Sequence, residues 1–289
     1  MTTENTEKNN AVKNVNEILN LMNRVNETFA YEIWIPSLQK EVMFREINTS
    51  QQKRLIKSVI DSPIYNTEFI FAITQIIKEN CIEDIIVDDL TILDKLFICL
   101  KMRSVSISDT FEIEFEKFGK QHKRGLSLIK VYDDAKNVID LSALEAKTFS
   151  DSVYSVSCCI PTIKTEFSLE KELRNKVEDI NVQSPDEVRN MIGEMYITEI
   201  IKFISELSIK SEDEEIQIPF NDQITFKNRI AIIERLPAKL IEQLIKYISQ
   251  VKKELEKVVL IKTSAIDEEG IKQDIEEVLT IDGNFFINS

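Results

Sequence analysis

Histidine occurs once in 289 residues, and this scarcity removes much catalytic chemistry. A Ser-His-Asp or Cys-His arrangement needs an imidazole base held by a third group. The single His122 lies in the basic polar stretch Gly119-Lys120-Gln121-His122-Lys123-Arg124-Gly125, where a solvated side chain is expected. Glycine is also rare, at five residues. No G-x-G-x-x-G fingerprint can be formed, and Gly119 and Gly125 lack the Gly-Lys-Ser/Thr end that cradles phosphate. The cysteines are Cys81, Cys99, Cys158 and Cys159; they fit neither a disulfide framework nor a four-ligand zinc site, and a reduced, cytosolic compartment is expected. The first residues are rich in Thr, Glu and Asn and do not read as a signal peptide. No apolar run approaches the ~20 residues that span a bilayer.

What is present is a globular balance of 43% hydrophobic and 30% charged residues. Thirty-six basic against 50 acidic side chains leave a net charge of −14. That field repels phosphate and anionic lipid, so neither nucleic acid nor a membrane is an expected partner. It suits solubility or docking onto a basic protein surface, and both readings stand. With 50 acids, carboxylate pairs arise by chance. None sits among the Trp, Tyr, Asn and Gly that line a sugar cleft. The run Glu212-Asp213-Glu214-Glu215 lacks the ligand spacing and central glycine of a calcium loop and reads as solvated. No cofactor, metal or small-molecule substrate is expected, and no enzymatic role.

Val12, Val15, Ile18, Leu19, Met22 and Val25 repeat at helical spacing, predicting an amphipathic helix that either docks a partner or packs on its own domain. Tyr31 to Phe44 reads as a β-hairpin broken at Pro36-Ser37. Thr49 is the expected cap of a helix that Pro63 stops, and a second helix carries Phe69, Ile73, Ile76 and Ile77. Asp88-Asp89 and Thr91 open a third, with Leu93, Leu96, Phe97 and Leu100 inward. From Thr110 the period becomes two: Phe111, Ile113 and Phe115 alternate with Glu112, Glu114 and Glu116. A turn with Gly119 and Gly125 then leads to a return strand through Leu128 and Val131, and Tyr154 to Phe167 adds strand. Ser184-Pro185-Asp186-Glu187 is a helix-start signature, for a helix expected to reach about Ser208. Helical spacing returns at Ile230, restarts after Pro237 and runs through Val251. A strand at Val258–Ile261, an acidic segment Asp267–Glu277 and a turn at Gly283 precede Phe285-Phe286.

These elements predict an α+β fold with two or more β-hairpins and more helix than strand. The expected organisation is an arm or helix over 1–30, a hairpin-plus-helices domain over 31–167, and a helical domain ending in a hairpin over 184–289. The boundary is expected between Phe167 and Ser184.

The order of several short pieces resembles a baseplate protein family of T-even-type bacteriophages, which have contractile tails. The pieces are Ile35-Pro36-Ser37, Val42-Met43-Phe44-Arg45, Gln52-Lys53-Arg54-Leu55, Ile76-Ile77, Cys81, Asp89-Leu90-Thr91, Asp94, Leu100 to Arg103 with Ser104 and Ser106, and Phe111-Glu112-Ile113. Leu236-Pro237, a helix and hairpin, Gly283 and Phe285-Phe286 are similar to that family's usual ending. The match spans roughly half the chain. Many members carry Cys pairs beside a Gly in the hairpins, suggesting a zinc knuckle; here Phe118-Gly119 stands without Cys, so metal binding does not carry over. Phe and Leu packing is expected to hold the hairpin tips instead. Arg45-Glu46 replaces the usual Arg-Pro.

The resemblance implies a non-enzymatic component or assembly factor of a contractile-tail baseplate hub. Its partners would be other baseplate or tail proteins, in the virion or in the host cytoplasm during assembly. A transient chaperone absent from the virion, or an unrelated intracellular binding module, remain the alternatives. Trp34, Phe285 and Phe286 are candidate partner-binding anchors, because interfaces draw on aromatic residues. The competing reading places each of them in the core, and it is the favoured one for Trp34.

Overall fold

The computed structural model describes residues 14–22, 29–61, 67–117, 120–178, 184–211, 214–266 and 272–287. Helix α1 (14–22) comes first. Strands β1 (Ala30–Ile35) and β2 (Lys40–Arg45) form an antiparallel hairpin with Ile33 opposite Val42 and Trp34 opposite Glu41. Alternation sends Ile33, Ile35, Val42 and Phe44 into the core, all with no exposed surface. The connection is a 3-10 turn, Pro36–Leu38, followed by Gln39 in the left-handed region at φ 49°.

Helix α2 (Thr49–Asp61) is capped by Asn48, one residue before the expected cap Thr49. Asn48 Oδ1 accepts from the Gln51 N–H at 3.0 Å, and Gln51 Oε1 accepts from the Asn48 N–H at 3.0 Å. The shorter Asn side chain closes this reciprocal box, leaving Thr49 as the first helical residue. Pro63 lies outside the described residues. Helix α3 (Thr67–Asn80) packs on α2 through a polar clasp. Gln51 and Asn80 exchange amide bonds at 3.0 and 3.1 Å, and Arg54 grips Glu79 with both guanidinium nitrogens.

The Arg54 hydrogen bond, aided by Gln51 and Gln75, holds the Glu79 carboxyl at about 2. A carboxyl lowered on folding contributes stability above its unfolded pKa of ~4.3 and loses it as pH falls through the folded value. The stability deficit of Glu79→Gln therefore shrinks between about pH 4.3 and pH 2, as measured by urea titrations across that window. A deficit that stays constant there would count against the clasp.

Helix α4 (Ile92–Ser106) is capped by Thr91, as expected, in a full capping box with Asp94. Asp88-Asp89 belong to a preceding 3-10 turn, Val87–Asp89. Strands β3 (Thr110–Lys117) and β4 (Lys120–Ser127) make the second hairpin. Its tip, Phe118-Gly119, is outside the described residues. Gly125 sits within β4 opposite Glu112, not in a turn.

The expected return strand through Val131 is instead helix α5 (Leu128–Val138). Ser127 Oγ accepts from the Lys130 N–H at 3.2 Å, and Asp109 Oδ1 accepts from the Ile129 N–H at 2.7 Å. With these donors satisfied the chain turns helical, burying Leu128, Tyr132 and Ala135.

Strands β5 (Lys147–Ser150), β6 (Tyr154–Cys158), β7 (Ile204–Lys210) and β8 (Glu215–Pro219) form a four-stranded antiparallel sheet in that order. Helices α6 (Ile163–Glu178) and α7 (Pro185–Ile201) are inserted between β6 and β7. Strand therefore stops well before Phe167, because Thr162 Oγ1 accepts from the Thr165 N–H at 3.1 Å at the start of α6. Helix α7 begins at Ser184 as expected but ends at Ile201, short of Ser208. Residues 204–210 are claimed by β6 on one side and β8 on the other, and this central pairing overrides helical propensity.

Helices α8 (Phe226–Ile233) and α9 (Ala238–Val258) flank Pro237. Strands β9 (Leu260–Ile266) and β10 (Lys272–Val278) form the last hairpin, so part of the expected acidic segment is strand. Residues 267–271 and 212–213 lie outside the described residues. The architecture is α+β, with helix exceeding strand. One hydrophobic cluster runs from Ile33 to Phe286 and draws on both the 31–167 and the 184–289 segments. A smaller one joins Phe115 of β3 to Ile275 of β10. The two hairpins are tied there by Arg124, which donates to the Ser264 carbonyl at 3.0 Å.

Candidate functional site

Arg103 carries the largest side chain that is fully buried among the described residues. A guanidinium in a core is costly unless its N–H groups find acceptors. Here Nε donates to the Phe285 carbonyl at 2.9 Å and Nη1 to the Ser108 carbonyl. The group lies over the Phe111 ring at 5.9 Å. Desolvation pulls its pKa below the ordinary arginine value.

Around this bond the aromatic rings close up. Phe285 and Phe286 meet edge to face at 5.1 Å, Phe285 packs on Phe111 at 5.4 Å, and Phe286 on Phe69 at 5.9 Å. Exposure of Phe285 is 1% and of Phe286 0%. Buried rings present no surface to a partner, so in this conformation both belong to the core and not to an interface. A 3-10 turn, Asn284–Phe286, delivers them, with Asp282 Oδ1 accepting from the Phe285 N–H at 3.2 Å.

Gly283 makes that turn possible. A Cβ there would stand 1.9 Å from Val59 Cγ2. Gly283→Ala is expected to cost about 1–3 kcal/mol by overpacking, with Val59→Ala in the same chain restoring most of it. Urea unfolding of the two single variants and the double variant checks this. Absence of recovery in the double variant would count against a steric origin.

Trp34 is half-buried. Its ring meets Phe97 edge-on at 5.3 Å, and its backbone N–H donates to the Tyr132 hydroxyl at 2.7 Å. Lys136 Nζ sits 5.6 Å from the ring centroid and pairs with Glu41 at 2.8 Å. The inner edge of Trp34 is thus a core contact, and the three candidate anchors do not form one surface.

Two of the four thiols are buried away from reactive surfaces. Burial pushes the Cys99 and Cys158 thiols up to about 12, away from the thiolate form a nucleophile needs. His122 stacks on Phe115 at 5.4 Å on the β3–β4 hairpin. Among the described residues no group of three His, Cys, Asp or Glu could hold a metal ion, and no helix is long and apolar enough to cross a membrane.

Sequence reasoning missed an open apolar groove of about 360 Å³ formed by α7, α8 and α9. Ile197, Ile200, Ile233, Leu236, Ile241 and Ile245 line it, with Tyr196 at its edge and Glu234 and Glu242 among its walls. The adjoining face of α7 exposes Ile192, Met195 and Tyr196. A signal existed: α7 carries apolar residues on more than one side, and a helix with two apolar faces has two surfaces to cover. Comparisons with protein-family models, with curated proteins and with solved structures returned no match.

Proposed function

We propose that this protein is a non-enzymatic component or assembly factor of a contractile-tail baseplate hub, working through protein–protein contacts. One observation carries the reading. The two blocks of sequence that resemble the baseplate family, far apart in the chain, meet in space. Arg103 binds the Phe285 carbonyl and Phe111 packs on the Phe285 ring, while Phe286 and Gly283 reach Phe69 and Val59, which lie between the matching pieces of the first block. Other residues of the resemblance also act as joints. Asp94 Oδ1 accepts from the Ser37 N–H at 2.9 Å, tying α4 to the first hairpin, and Ser106 Oγ accepts from the Ile47 N–H at 2.9 Å. Cys81 bridges to Phe44. Such residues hold a frame rather than perform chemistry, and a frame of this kind acts through its outer surface.

Deletion of the gene in a phage that carries it tests the proposal, with electron microscopy of tails as the readout. Failed hub formation is expected. Mass spectrometry of purified virions then separates a permanent subunit, present in the particle, from a chaperone that leaves it. Normal tails after deletion would overturn both forms. A pull-down that returns no tail protein would favour the unrelated binding module.

A further inference from the structure

The β3–β4 and β9–β10 hairpins are two-stranded, and the free edges of β3 and β10 border one groove of about 290 Å³. Backbone pairing shows which groups are unbonded there. Asp109 and Leu128 continue the β3–β4 register by one step, and the Asp109 carbonyl accepts from the Leu128 N–H at 2.8 Å. They form a hydrogen-bonded pair, and every second pair along the hairpin repeats it: Phe111 with Leu126, Ile113 with Arg124. The N–H and C=O groups of Glu112 and Glu114 therefore turn away from β4, on the side where the groove lies. At the other wall the Leu279 N–H donates to the Val259 carbonyl at 2.8 Å, which by the same rule turns the backbone groups of Val278 away from β9. Val278 is 51% exposed.

We propose that this groove takes an extended segment of another protein as an added strand on the β3 edge, with Lys or Arg opposite Glu112 and Glu114 and an apolar residue between them. The unbonded backbone is the first reason: a free edge is a template for strand addition, in which main-chain bonds give affinity and alternate side chains give specificity. Charge is the second. Glu112, Glu114, Glu277 and Asp282 line the groove, and no lysine or arginine does among the described residues. Asp282 caps the Asn284–Phe286 turn, and Glu114 pairs with Lys123 at 2.5 Å. Glu112 stands opposite Gly125, which has no side chain to offer, and neither Glu112 nor Glu277 has an ion pair among the described residues. Cross-strand neighbours lie within ~5 Å, so a cation opposite Glu112 meets its carboxylate. The residue between the two cations points to the other face, over Phe111 and Ile113. Alternation puts Glu277 on the face of Ile275, which packs on Phe115 of β3, so a third carboxylate looks onto that floor. A second copy fits less well, because its basic strand β4 is already paired with β3 and tied to β9 by Arg124.

The inference is independent of any tail role, and fluorescence anisotropy of the full chain with a labelled Lys-Val-Lys-Val-Lys peptide tests it. Saturable binding is expected, and N-methylation of alternate peptide nitrogens, which keeps the charge and removes the donors, is expected to abolish it. Glu112→Gln and Glu277→Gln each weaken binding by about two- to fivefold, the effect of one exposed ion pair. Glu256→Gln on α9 changes the net charge equally and leaves binding as it was. Glu114→Pro removes an N–H that points away from β4, where an edge strand tolerates proline, and is expected to weaken binding by about fivefold or more. Should that variant fail to fold, the two Gln variants and the N-methylated peptide decide. Absence of binding up to about 1 mM overturns the proposal. So does equal binding of the N-methylated peptide, or an equal loss in Glu256→Gln, since either reduces the attraction to overall charge. Binding indifferent to both Glu112→Gln and Glu277→Gln overturns it as well. Self-association of the wild type that Glu114→Pro abolishes would assign the edge to a second copy instead.

Discussion

Phe286→Ala is expected to lower the unfolding free energy by about 3–5 kcal/mol, the range for deleting a buried phenylalanine. The ring has no exposed surface and touches Phe69 and Phe285. Its removal leaves a cavity next to Phe285, whose carbonyl accepts from Arg103. The cost therefore adds a weakened guanidinium site to lost apolar burial. Phe286→Leu keeps most of the volume and is expected to lose less. Denaturant unfolding can be followed through Trp34, the only tryptophan, which rests on Phe97 in the same core. The alternative role makes an opposite prediction: an exposed anchor would leave stability intact and weaken only a complex. A loss below about 1 kcal/mol would remove Phe286 from the core account.

The second large effect belongs to Lys202, just past the end of α7. Its side chain is 13% exposed and its ammonium pairs with Glu170 at 2.9 Å and Glu199 at 2.6 Å. Glu199 also reaches Lys252 at 2.9 Å. Burial alone would lower the Lys202 pKa, but Glu199 and Glu170 outweigh it and hold it above the ordinary lysine value. Burial would likewise raise Glu199, and Lys202 and Lys252 outweigh that and hold it below its ordinary value. Lys202→Ala leaves Glu170 without that ammonium and Glu199 with Lys252 alone, a change expected to cost about 1–3 kcal/mol because Glu199 is partly solvated. The pH dependence follows from the two directions. The Lys202 contribution is complete below ~10.4 and is lost as pH rises through its raised value. The Glu199 contribution is complete above ~4.3 and is lost as pH falls through its lowered value. Between these limits the wild-type advantage over Lys202→Ala is flat; below them it narrows as the carboxylates protonate. An advantage that grows on acidification would rule out the ion-pair origin.

Local rules of the chain were legible where the partners are local. Thr91 and Asp94 close a capping box three residues apart, and the Ser184 hydroxyl caps α7 by accepting from the Glu187 N–H. Phe111, Ile113 and Phe115 alternate with glutamates because one face of β3 turns inward, and Pro237 marks where α9 begins. Reading failed where distant residues decide. Residues 204–210 look helical in isolation, yet their hydrogen bonds go to Tyr154–Cys158 and Glu215–Pro219. Leu128 begins a helix because Asp109, across the hairpin, accepts from its first turn. At Phe285 and Phe286 no local pattern separates a core ring from an exposed anchor. The residues that bury them, Phe69, Arg103 and Phe111, lie in another part of the chain. The apolar groove draws its walls from three helices, and its one local sign is the second apolar face of α7.

The bond from Arg103 to Phe285 joins residues 182 positions apart. At ~5–20 residues per second, a ribosome that has just emitted Arg103 needs roughly 10–40 s more to deliver its acceptor. Through that interval the nascent polypeptide holds a cationic group and the faces of Phe69 and Phe111 with nothing to seal them. Holdase chaperones recognise such surfaces, and an early stop or a cleavage before Gly283 would leave them open permanently. A chain that stops before Gly283 therefore lacks both the acceptor of the Arg103 guanidinium and the rings that cover Phe69 and Phe111.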